Sequence, residues 1–214
     1  MQLLLVHGLG RTPLSLLGLA AALRRDGHRT RFFGYLPPFE SVPRIRRRLA
    51  RVLRELARGG EPVGLIGHSL GGLLLRLALT DVPELRVRHF VMLSTPNAPP
   101  RAARLAWKWV PPFRLYARDC GRLLTSPTAF AALPEPRVPF TVIAGTAGLR
   151  GRFSPFGDEP NDGLVSVTEA RLGTAEPVLL SVLHTFMMDA VAVRARISAI
   201  MSGDRVGSPS RSDT

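Results

Sequence analysis

Residues 62–79 read Pro62-Val63-Gly64-Leu65-Ile66-Gly67-His68-Ser69-Leu70-Gly71-Gly72-Leu73-Leu74-Leu75-Arg76-Leu77-Ala78-Leu79. Residues 62–66 have the length and apolar character of a buried strand, and residues 71–79 those of an apolar-faced helix. Only Gly67-His68-Ser69-Leu70 separates the two. Glycines at 67 and 71 clear room for a sharp strand-to-helix turn, which would present the Ser69 hydroxyl at the carboxyl end of a strand and at a helix N-terminus. Ser69 is therefore the first candidate nucleophile. His68 reads as a packing residue of the turn and is assigned no chemistry.

The same rhythm extends outward in both directions. Residues 2–6 form a short apolar run that stops at His7-Gly8, and Thr12-Pro13 then opens a helix with Leu16, Leu19, Ala20 and Leu23 at helical spacing. Asp26-Gly27 ends that helix, and residues 29–33 alternate as a strand before Pro37-Pro38. From residue 42 to 57, Ile45, Leu49, Val52, Leu53 and Leu56 make one apolar stripe, leaving the intervening arginines as a solvated face. Residues 87–93, 138–144 and 178–183 are three more β-rich runs. Six strands alternating with helices predict an α/β fold, a mostly parallel, doubly wound sheet of about six strands within one domain over 1–201. Residues 95–136, rich in proline and aromatics, interrupt that rhythm and read as a short lid insertion over one end of the sheet. A closing helix over 185–201 and a disordered tail over 202–214 complete the expectation.

A serine hydroxyl needs a base, and the base needs an orienting acid. Two histidines follow Ser69 in the chain, His89 and His184. His89 begins a buried strand and reads as structural, whereas His184 follows a strand and enters a loop able to lean toward the serine. Among the acids before His184, Asp158 and Glu159 look like solvated loop charges. Asp162 sits in Asn161-Asp162-Gly163, a tight-turn sequence that would fix its carboxylate. The candidate catalytic residues are Ser69, Asp162 and His184. For a developing oxyanion, the candidate donors are the backbone N–H groups of Leu9, in the glycine-rich loop His7-Gly8-Leu9-Gly10, and of Leu70. Trp107, Trp109 and Phe113 put apolar surface into the insertion and are expected to shape a substrate pocket.

Composition bounds the rest. With 214 residues, 45% hydrophobic and 21% charged, the chain can bury a full core. Its single cysteine, Cys120, rules out an internal disulfide, and no Cys/His spacing suggests a structural zinc site. No basic segment leads the first apolar run as in a signal peptide, which reads as cytoplasmic, and no apolar stretch reaches the roughly 20 residues that span a bilayer. The formal charge is +13, yet Lys108 is the one lysine, so all but one of the 29 basic residues are arginine. They are scattered through the chain, which points to a global arginine preference rather than a nucleic-acid face. Weak attraction to an anionic membrane surface is the remaining consequence of that charge.

With those residues placed, the sequence resembles the bacterial lipase and esterase branch of the α/β-hydrolase superfamily. The resemblance runs through most of residues 2–200 and rests on His7-Gly8-Leu9-Gly10-Arg11-Thr12-Pro13, Gly67-His68-Ser69-Leu70-Gly71-Gly72, Leu93-Ser94-Thr95-Pro96-Asn97, Asn161-Asp162-Gly163-Leu164-Val165 and His184-Thr185-Phe186-Met187-Met188. It implies hydrolysis of a small-molecule ester or lipid through an acyl-enzyme, without metal or organic cofactor. The opening strand matches the third of the family's full sheet, so the first strands are absent or the start is truncated, leaving a minimal core, and Ala98-Pro99-Pro100 stands where relatives tend to carry Gly-Ser. An insertion this short favours an esterase over a true lipase. Two other readings stay open: an acyltransferase or thioesterase using the same three residues, and a hydrolase-fold binding module whose triad is vestigial.

Overall fold

The structure is a computed structural model that describes residues 1–203, so the tail expected from residue 202 lies outside the described residues from 204 onward. The strands are β1 (Gln2–Val6), β2 (Arg29–Phe33), β3 (Val63–His68), β4 (Val87–Leu93), β5 (Phe140–Gly145) and β6 (Val178–Leu180). The helices are α1 (Leu17–Arg25), α2 (Val42–Arg58), α3 (Leu70–Leu79), α4 (Arg101–Trp109), α5 (Pro111–Thr125), α6 (Pro127–Ala131), α7 (Val167–Ala170) and α8 (Val191–Ser202). All six strands are parallel, in the order β2-β1-β3-β4-β5-β6.

Successive side chains of a strand point to opposite faces, and a parallel sheet covered on both sides must be apolar at every position. That is why β1 reads as an unbroken Leu3-Leu4-Leu5-Val6. Leu4 and Val6 join Leu65, Phe90, Met92 and Val142 in a core that α2 and α3 cover with Leu49, Leu53, Leu73 and Leu74. Leu3 and Leu5 join Ile66, Val91, Leu93 and Ile143 on the other face, beneath Leu19 and Leu23 of α1 and Val193 and Ile197 of α8. Each such leucine contributes about 1.5–3 kcal/mol by leaving water. On α2 the stripe Ile45, Leu49, Leu53 and Leu56 is buried, as its spacing predicts, and Ser41 caps the helix by accepting from the Arg44 N–H at 3.4 Å.

Several boundaries differ from the sequence reading: β5 starts two residues late and ends one late, and the helix opened at Thr12-Pro13 begins as a 3₁₀ turn over Pro13–Leu16. β3 runs on through Gly67 and His68, which pair with Met92 and Leu93 of β4, so a single residue, Ser69, separates strand from helix. β6 has only three residues. Instead of one helix from residue 185, a 3₁₀ turn at His184–Phe186 precedes α8, which extends to Ser202, one residue into the expected tail. The insertion is largely helical, with Pro111, Pro112 and Pro127 standing in the first turns of α5 and α6, where a missing N–H costs nothing.

Candidate active site

The site begins with Ser69, whose φ of 52° and ψ of −123° belong to a region that non-glycine residues rarely enter. The strain is held by close packing. A Cβ at Gly67 would meet the Gly72 backbone at 2.6 Å, and one at Gly71 would meet the Val6 carbonyl oxygen at 2.4 Å. The absence of side chains at both positions thus lets α3 start directly against the end of β1. The Ser69 N–H donates to the Leu93 carbonyl at 2.8 Å, tying the turn to β4.

The close approach of α3 to β1 also brings the loop after β1 to the serine. A Cβ on Gly8 would lie 3.0 Å from the Ser69 Cβ. That loop is fixed by Tyr35, which stacks on the His7 ring with centroids 4.3 Å apart and donates its hydroxyl to the His7 carbonyl at 3.0 Å. The Tyr35 N–H donates to His7 Nε2 at 3.3 Å, so Nδ1 carries the proton given to the Gly8 carbonyl. The N–H groups of Leu9 and Leu70 are engaged by no other described residue. Tyr35 was not singled out in the sequence, because nothing local connects it with a loop 28 positions away.

On the other side stand the acid and the base. His184 Nδ1 lies 2.7 Å from Asp162 Oδ2, and the His184 N–H donates to the Asp162 carbonyl at 2.9 Å. Asp162 is 1% exposed. Its other oxygen accepts from the N–H groups of Leu164 at 2.9 Å and Val165 at 2.7 Å, which is how the turn at Gly163, with φ of 97°, fixes the carboxylate. Burial alone would push this carboxyl up; the hydrogen bond from His184 first, and its charge second, outweigh it and hold the group below the ordinary range. An ionised Asp162 accepts from Nδ1–H, so Nε2 is the nitrogen of His184 left for the cleft.

His68 sits behind this pair. Its Nε2 donates to the His184 carbonyl at 3.2 Å, with ring centroids 4.8 Å apart. Burial first, and the neighbouring charge of His184 second, drive its pKa well below the usual histidine value, so it acts as a neutral donor. His89 pairs with Thr141 Oγ1 at 2.9 Å across β4 and β5, a structural role. Asp158 is exposed, as expected, but Glu159 is not a solvated loop charge: it ion-pairs with Arg101. The same guanidinium donates to Glu169 Oε1 at 2.9 Å, so the start of α4 is clamped to the 159–169 loop that carries Asp162.

Ser69 and His184 line one cleft of about 400 Å³, together with Leu9, Arg11, Ala103, Ala106, Phe113, Tyr116 and Val165. Of the three aromatics expected there, the structure places Phe113 on the cleft wall and the two tryptophans elsewhere. Trp107 packs against Gly121 between α4 and α5, edge-on to Phe113 at 6.4 Å, and Trp109 is 68% exposed under the Lys108 ammonium. The reason is helical phase: on α4 the residues facing the cleft are Ala102, Ala103 and Ala106. A wider groove of about 840 Å³ lies between residues 37–43 and α5, lined by Arg114, Arg118 and Arg122, and holds no nucleophile–base pair. Among the described residues no three His, Cys, Asp or Glu side chains gather as metal ligands would, and no helix is long and apolar enough to cross a membrane.

This geometry agrees with what the chain matches. A model of the α/β hydrolase family matches residues 3–206, and the chain belongs to that family. Among solved structures, it resembles the mature form of the lipase BlEst2 from Bacillus licheniformis, with a TM-score of 0.74 at 21% identity, covering 94% of this chain and 90% of that one. Phospholipase PlaB from Legionella pneumophila superposes with a TM-score of 0.61 at 16% identity over 80% of this chain and 46% of its own. The thioesterase RedJ from Streptomyces coelicolor gives 0.56 at 15% identity, covering 95% and 89%. At these identities the likeness is one of fold. No curated protein matches.

Proposed function

We propose that this α/β hydrolase cleaves carboxylic esters through a covalent acyl-enzyme, with Ser69 as nucleophile, His184 as base and then acid, and Asp162 as the orienting carboxylate. The observation that carries the reading is the buried Asp162–His184 pair at 2.7 Å on the same cleft as a serine held in a strained turn. In the first half-reaction Ser69 Oγ attacks the ester carbonyl carbon while His184 Nε2 takes its proton. Charge then builds on the carbonyl oxygen, where the free N–H groups of Leu9 and Leu70 are the donors available to meet it. The ester C–O bond breaks, and His184 returns the proton to the leaving alcohol. Water repeats the sequence on the acyl-enzyme and releases the acid.

Asp162 stays ionised throughout, which favours the Nδ1–H tautomer and steadies the imidazolium as it forms. Ala103, Ala106, Phe113 and Tyr116 make one wall of the cleft apolar, which suits an acyl chain. The test is a panel of 4-nitrophenyl esters of two to sixteen carbons. We expect turnover of this panel, and loss of about 10⁶-fold in kcat in either Ser69→Ala or His184→Ala, because such residues act as a unit. Near-normal turnover in either folded variant would overturn the assignment.

A further inference from the structure

Arg11 is the one permanently charged side chain lining the catalytic cleft, and no carboxylate lines it. Of the other half-buried arginines, Arg31, Arg46, Arg48, Arg101 and Arg194 each have an acidic partner, whereas Arg196 has none among the described residues. The buried Arg76 is held by carbonyls and Asn97, and neither it nor Arg196 lines the catalytic cleft. Arg11 has no acidic partner among the described residues; its one hydrogen bond there is a long donation, 3.4 Å, to the Thr185 carbonyl. A general surplus of arginine explains cations on the surface. It does not explain an unpaired one placed between the loop carrying Leu9 and the turn carrying His184.

We propose that Arg11 recognises a phosphate group borne by the alcohol portion of the ester, an inference that rests on the ester-hydrolase reading above. The side of the cleft decides which half of the substrate is meant. His184 must hand its proton to the departing oxygen, so the leaving alcohol lies beside His184. Arg11 reaches the carbonyl of the very next residue, Thr185, and so stands on that side. The apolar lining from α4 and α5, with Ala103, Ala106 and Phe113, suits the acyl chain. A guanidinium offers five donors in a planar fork that matches two phosphate oxygens at once, and most of that fork is uncommitted here. In a cleft with apolar walls the pair is screened less than it would be in water. The chemistry is unchanged: the Ser69 Oγ–acyl bond forms, the ester C–O bond breaks, and the proton moves from Ser69 through His184 to the phosphorylated alcohol.

The probes are 1-butyrylglycerol and 1-butyrylglycerol 3-phosphate, which differ only by the phosphate, with 4-nitrophenyl butyrate as a neutral reference. The readout is the ratio of kcat/KM for the phosphorylated ester to that for its neutral partner, so a general loss from a loosened loop cancels. In the unmodified protein we expect a ratio of about ten or more, as for a hydrogen bond to a charged group. Arg11→Gln should bring it close to one, and Arg11→Lys should keep part of it. Repeating the pair with dodecanoyl esters below their aggregation limit distinguishes a lipid-like source of the phosphate from a soluble one, and the ratio must exceed one at both lengths. A ratio near one in the unmodified protein, or one that Arg11→Gln leaves unchanged, overturns the proposal. Failure to hydrolyse 4-nitrophenyl butyrate would instead strike the ester-hydrolase reading itself.

Discussion

Asp162 shows how a single carboxylate is set apart from its neighbours. Asp158 and Glu159 lie within four residues of it, but Asp162 alone is buried, accepts two backbone N–H groups on one oxygen and faces His184 with the other. Asp162→Asn should therefore cost about 10⁴-fold in kcat by favouring the wrong histidine tautomer, while Asp158→Asn should leave kcat nearly as it was; the ester panel measures both. Glu159 acts differently, through stability. Although burial would raise its carboxyl, bonds from Thr168, Arg101 and Ser166 bring it down from 4.5 to about 2. A depressed carboxylate stabilises the fold above its unfolded value, and that contribution fades as pH falls through the folded one. Melting temperatures of the protein and of Glu159→Gln should thus converge between pH 4.5 and about 2. Curves that stay parallel across that range would show that the Arg101 clamp is not stabilising.

Among the elements, the pair β3 and α3 was the most legible in sequence, because an apolar run, two glycines and a second apolar run have few other ways to fold. The end of β3 was misplaced by two residues. Gly67 and His68 look like turn residues, yet β4 offers them partners that no local pattern displays. The insertion was harder to read. Its prolines and aromatics marked it only as an insertion, and the phase of α4, which turns Ala102, Ala103 and Ala106 to the cleft and Trp109 to solvent, depends on how Arg101 anchors the helix to Glu159 and Glu169, 58 and 68 positions away. Consequently Phe113→Ala should flatten the rise of kcat/KM with acyl length, since each methylene buried against that wall contributes about 0.8 kcal/mol. Trp109→Ala should leave the shape of the profile alone. The opposite pattern, with Trp109 setting the profile, would mean that the α4–α5 pair is placed differently when substrate is bound.

Across the whole molecule, the parallel sheet sets where chemistry can occur. Its strands all end on the same side, so the loop after β1, the turn after β3, and the Asp162 and His184 loops after β5 and β6 converge there, although they are spread over 176 positions of sequence, from Gly8 to His184. The alternation of strand and helix made that convergence predictable, while the order serine, acid, histidine along the chain is the one the α/β-hydrolase fold implies. What sequence could not supply was the packing between distant segments: the Tyr35 stack behind His7, the His68 donation behind His184 and the unpaired Arg11 between the two loops. The most direct test of Ser69 as an activated nucleophile is covalent trapping with a fluorophosphonate, read by mass spectrometry of the digested protein alongside a melting curve. We expect one adduct, on the peptide containing Ser69, absent from a folded Ser69→Ala variant. An adduct on another residue, or none in a folded protein that still hydrolyses esters, would contradict the assignment of the nucleophile.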